Sequence, residues 1–141
     1  MEGFTRPQSD GVAELSDGVA RRQSVLMAVS NEMVRLYKDL FGRGPTQSRS
    51  DWAGADALVC TLENTLTPAE RKMVELGGAD RVRDMRTFFQ YASDRAFCDS
   101  VERITGREVR AFVSGIDVAQ DVATELFYFE PRPEIDVPVA D

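Results

Sequence analysis

The sequence predicts an α+β domain of two layers: a four-stranded antiparallel sheet built from two hairpins, with helices packed on one face, in the order α-ββ-αα-ββ. Three observations carry this expectation. Residues 22–41 and 79–105 bear apolar side chains at steps of three and four, the spacing of a helix with one buried face. Two pairs of short runs with strand-like patterning each have a connection too short for a crossover. The length of 141 residues and the 43% hydrophobic content suit one domain with a real core.

Residues 1–21 read as a disordered tail, because Gly11 and Gly18 weaken any helix there. The folded domain is expected over 22–130. Its first helix, 22–41, places Leu26, Val29, Met33, Tyr37 and Leu40 on one face and stops at Gly42, ahead of Pro45. Residues 46–52 are short and polar, which suits an edge strand. Residues 57–63 are apolar on both faces, with Leu58, Cys60 and Leu62 on one and Ala57 and Val59 on the other, so this strand belongs in the sheet centre.

Thr67, Pro68 and Glu70 form a helix-start signal of N-cap threonine, N1 proline and N3 glutamate. A short helix to about residue 76, with Met73, Val74 and Leu76 on its buried side, breaks at Gly77 and Gly78. A single long helix over 79–105 is then expected, capped by Asp80 and stopped by Gly106, with Val82, Met85, Phe89, Ala92, Ala96, Val101 and Ile104 facing the core. Such a helix spans roughly 40 Å, and part of it would pack on a second subunit. Strands follow at 108–114 and 122–130. Residues 131–141, acidic and proline-rich, read as a second disordered tail.

Charge narrows the function classes. The net charge of −7 disfavours nucleic acid and adhesion to an anionic membrane, and the two tails hold −4 of it. No run approaches the ~18 apolar residues of a membrane span, and Glu2, Asp10, Glu14 and Asp17 break the pattern of a signal peptide. The expected location is the cytoplasm, or the inner face of the membrane as a peripheral protein. With no histidine and no CxxC, no metal or cofactor is expected, and the commonest general base is missing. Cys60 and Cys98 read as small buried hydrophobes, with a redox pair as the alternative.

Two clusters invite a chemical reading. Arg81, Arg83 and Arg86 stand at the start of the long helix, where cations oppose the macrodipole. They are a candidate anion-binding site, or else a solvated face paired with Asp80, Asp84 and Glu75. Glu63, Asp117, Asp121 and Glu125 lie near strand ends, where two of them could converge as an acid–base pair or a hard-metal site, or else are ordinary turn residues. No serine sits in a nucleophile elbow, and no catalytic residue is assigned.

Several segments together resemble a known family. They are residues 30–45 (SNEMVRLYKDLFGRGP), Leu62 with Glu63, residues 66–70 (LTPAE), Val82 with Arg86 and Phe89, and residues 126–130 (LFYFE). This pattern resembles the MpsC-like family, formerly a domain of unknown function and named for a sodium-translocating, membrane-potential-generating system of bacteria. The resemblance implies a small protein associated with a system whose transport belongs to other, membrane-bound components. It carries over no catalytic residues. The leading expectation is therefore a non-catalytic accessory or regulatory module that binds a partner, such as a transporter complex, and forms a homodimer. A small-anion sensor using the three arginines is the alternative, and a carboxylate-based enzyme is the third reading.

Overall fold

The computed structural model describes residues 7–133, with side chains from residue 16 onward. The elements run α1 (Pro7–Phe41), β1 (Gln47–Trp52), β2 (Ala57–Glu63), α2 (Pro68–Glu75), α3 (Ala79–Ala92), α4 (Asp94–Thr105), β3 (Val109–Asp117) and β4 (Val122–Phe129). The four strands form one antiparallel sheet in the order β1-β2-β4-β3. Both hairpins form as the sequence predicts. Their joining pair, β2 with β4, aligns Leu58 with Phe127 and Cys60 with Glu125. The polar β1 is an edge and the apolar β2 is central.

The core lies between the sheet and the helices. Val29, Met33 and Tyr37 of α1 and Phe97 and Val101 of α4 pack on Leu58, Cys60, Leu62, Phe127 and Phe129. A smaller cluster of Leu66, Val82 and Val118 sits below α2 and α3. Burying this apolar surface is the main driving force of the fold.

Three features depart from the expected layout. First, α1 begins at Pro7, where the sequence predicts a disordered tail through residue 21. An established helix extends by one hydrogen bond per residue at little cost, which offsets Gly11 and Gly18. The side chains of residues 16–22 remain exposed along this extension. Of the predicted acidic tail, residues 131–133 have no regular structure and the rest lies outside the described residues.

Second, the expected long helix is two. Ser93 (φ −104, ψ 18) leaves the helical region, closes α3 through its amide to Phe89 and Tyr91 carbonyls, and starts α4. The break lets α3 lie on β3 while α4 packs against α1. A straight rod satisfies only one of these surfaces.

Third, the start of α3 is Gly78, with no side-chain cap, and the expected cap Asp80 lies in the first turn. Gly78 is required by close approach: a Cβ there would meet Met73 Cγ at 2.5 Å and the Met73 carbonyl oxygen at 3.0 Å. The predicted stop at Gly106 does form, in the left-handed region at φ 70. So does the capping box at α2, where Glu70 N donates to Thr67 Oγ1 (3.2 Å) and Thr67 N donates to Glu70 Oε1 (2.8 Å).

Candidate functional site

The local sequence makes α3 unusual. Its buried residues are Val82, Arg86 and Gln90, at steps of four, so its inner face is mostly polar. Met85, Phe88 and Phe89, which the predicted stripe turns inward or sets beside it, face solvent, Phe88 with 69% of its surface exposed. Tyr91 of α3, Met73 of α2 and Leu76 just after α2 are exposed as well, although the last two were expected on the buried side of α2.

Arg86 is fully buried. Its Nε donates to Glu70 Oε2 (2.7 Å), and its Nη2 donates to Glu70 Oε1 (2.5 Å) and to the Thr65 carbonyl (2.8 Å). The guanidinium lies 3.7 Å from the centre of the Phe41 ring. A buried charge demands such a partner, and the planar fork of arginine matches the carboxylate. Burial by itself would raise the Glu70 pKa, but hydrogen bonds from Arg86 and from Thr67 outweigh it and hold the group below its ordinary value. Thus the helix-start signal at Thr67 and Glu70 also supplies the counter-ion of α3.

A second network adjoins the first. Gln90 Nε2 donates to the Tyr37 hydroxyl (2.9 Å), which donates to Glu125 Oε2 (3.3 Å). Ser114 Oγ also donates to Glu125, at 3.0 Å for Oε2, with a shorter contact to Oε1. The Tyr91 hydroxyl receives Ser114 N at 2.9 Å. Burial pushes the Glu125 carboxyl up to about 8, only partly countered by Ser114 and Tyr37, so it keeps its proton near neutral pH. Burial likewise raises the Tyr37 hydroxyl well above its usual range. Arg86 Nη1 and Gln90 Oε1 are buried without a partner.

The predicted arginine cluster is dispersed. Arg81 and Arg83 are exposed, and Arg83 Nη2 donates to Asp80 Oδ1 at 2.5 Å. Arg86 turns into the core instead of joining them. The four strand-end carboxylates do not gather into one group. Asp121 receives Thr65 N (2.7 Å) and Leu66 N (3.1 Å), fastening the turn of the second hairpin to the loop before α2. Asp117 accepts from Gln120 N at 2.9 Å. Glu125 is in the core, while Glu63 lines a cleft with Asp121. Cys60 and Cys98 are both free thiols. Among the described residues, no group of three or more metal-ligating side chains is placed to hold an ion.

Sequence reading missed Gln90, Tyr37 and Glu125 as partners because they are far apart in the chain. One local signal existed: Val82, Arg86 and Gln90 repeat every four residues, a second stripe beside the apolar one.

Outside, Phe89 packs edge-on against Phe88 (centroids 5.8 Å apart) and Phe41 (6.2 Å). Phe41 therefore separates the buried guanidinium from the exposed aromatic row. Beside it, the α3–α4 elbow leaves a cleft of about 190 Å3 lined by Leu36, Leu40, Ala96 and Phe97, with Asp39 and Ser93 at polar positions. This arrangement offers mainly apolar contact. No described helix is long and apolar enough to cross a membrane.

A family model described as "Na+-translocating membrane potential-generating system (MpsC)" matches residues 21–131. No curated protein and no solved structure matches the chain.

Proposed function

Because the chain belongs to the MpsC family, we propose that it is a non-catalytic accessory or regulatory protein that binds another component of a membrane-potential-generating system. The observation that carries this reading is the exposed row Met85, Phe88 and Phe89 on α3. Contiguous exposed aromatic and methionine side chains are characteristic of protein contact surfaces. The adjoining elbow cleft suits an inserted apolar side chain. The buried Arg86–Glu70 pair holds the row in place from behind. The protein then acts in the cytoplasm, at the inner face of the membrane, and transport itself falls to an integral partner.

Pull-down of the tagged protein from its own cells, with and without detergent-solubilised membranes, tests this. Wild type recovers an integral transporter subunit and Phe88→Asp does not. Absence of saturable binding to membranes containing the candidate transporter defeats the proposal. Recovery of the protein alone, with self-association lost in Phe88→Asp, makes the same face a homodimer contact instead.

The anion-sensor reading keeps only Arg81 and Arg83, since the Arg86 guanidinium is engaged by Glu70. It predicts a rise in melting temperature with small oxyanions that Arg83→Ala removes.

A further inference from the structure

We propose that the cleft between the first half of α1 and the exit of β4 binds a small polyanion, a molecule with two or more phosphate or carboxylate groups. The cleft has a volume of about 850 Å3, and its lining includes Arg21, Arg22, Arg107, Arg132, Trp52 and Asp56. That volume falls in the range of small-molecule sites, roughly 300–1,000 Å3. Four arginines against one carboxylate are unexpected on a chain of net charge −7.

The charges divide into a fixed frame and a surplus. Arg107 belongs to the frame: it donates to Asp56 Oδ1 (2.6 Å) and to the carbonyls of Ala55 (2.7 Å) and Glu130 (3.0 Å), and it lies 4.9 Å from the Phe129 ring centre. It thereby cancels the only acid among the described lining residues and ties β4's exit to the first hairpin. Arg21, Arg22 and Arg132, all solvent-exposed, are the surplus among the described residues. The Arg22 guanidinium is placed over Trp52, 5.3 Å from the ring centre, which orients its planar fork before any ligand arrives.

Like charges gathered in one concavity repel each other, and an anion relieves that cost while the low-dielectric walls focus the field. Each fork pairs bidentately with a phosphate or carboxylate, so three of them select for more than one anionic group. Neither Phe88 nor the buried network takes part, so this site is independent of the docking face on α3.

The test is thermal unfolding of the full chain at low salt with pyrophosphate, citrate and inorganic phosphate, backed by titration calorimetry. Pyrophosphate or citrate at a hundredfold excess over Kd raises Tm by roughly 5–10 °C, with inorganic phosphate much weaker. A stronger effect of pyrophosphate identifies a phosphorylated ligand, and a stronger effect of citrate a carboxylated one. Arg22→Glu and Arg132→Glu, both at exposed positions, keep the unliganded Tm and lose the shift. No shift with any probe overturns the proposal, as does an equal shift in both variants. A shift that appears only when Glu134, Asp136 and Asp141 are replaced by their amides also overturns it, because the chain's own acidic end then fills the cleft.

Discussion

The two helices that flank Ser93 solve the same problem in opposite ways. α4 buries Phe97 and Val101 and exposes its charges, as an amphipathic helix on a core should. α3 buries an arginine and a glutamine and exposes Met85, Phe88 and Phe89. Apolar burial holds α4 in place without regard to direction. α3 is held by a few directional bonds to Glu70, Thr65 and Tyr37, which fix its register, and its apolar residues Met85, Phe88 and Phe89 are left exposed. A helix that keeps its greasy side outward needs some other anchor, and the buried ion pair provides it.

That contrast is most directly broken at Arg86. Arg86→Ala leaves Glu70 buried and uncompensated and costs about 3–5 kcal/mol by urea unfolding. Arg86→Met, which keeps most of the volume, loses nearly as much, and adding Glu70→Gln to it recovers much of the loss, which identifies the penalty as unpaired charge rather than lost volume. If the single and double variants are equally unstable, directional anchoring of α3 is wrong.

On α4 the corresponding change is Phe97→Ala, which opens a cavity among Tyr37, Phe112 and the β4 aromatics. Its expected cost is also about 3–5 kcal/mol. Unlike Arg86→Ala, it has no partner substitution among charged residues that restores stability.

The two buried carboxylates extend the comparison to pH. Glu70, lowered by Arg86, contributes stability above its ordinary value that is lost as pH falls through its folded pKa. Glu125 acts with the opposite sign. Its folded pKa is raised from 4.5 to about 8, so the native state binds the extra proton between those values. Its contribution is complete below about 4.5 and declines as pH climbs towards 8. Urea midpoints across pH 5–9 should fall in the wild type, and Glu125→Gln should flatten that decline.

The smallest effect on stability belongs to Phe88→Asp, within about 0.5 kcal/mol of wild type, because the ring is mostly in solvent. A larger loss means that Phe88 is part of the fold and not of a contact surface. Near-equal stability with lost partner recovery is the outcome that assigns the row to binding.

Much of the fold was legible locally. Thr67, Pro68 and Glu70 announced the start of α2, Gly106 the end of α4, and the two-faced apolar run of β2 its central place. These signals act within one element, through caps, backbone preferences and side-chain periodicity, so the chain displays them without help. The stripe assigned to α3 was misplaced for a related reason: Met85, Phe88 and Phe89 have the spacing of a core face, and spacing cannot tell which face of a helix the rest of the chain covers.

By itself the sequence determined the fold class, the two hairpins and the family to which the chain belongs. Tertiary structure alone decided the strand order, the break at Ser93, the inward turn of Arg86 onto Glu70, and the meeting of Tyr37, Gln90, Ser114 and Glu125. The arginine cleft between α1 and the exit of β4 arose in the same way. The physical reason is range. Caps and periodicity depend on neighbours a few residues away, whereas ion pairing and burial depend on which distant groups the packed chain brings within a few ångströms.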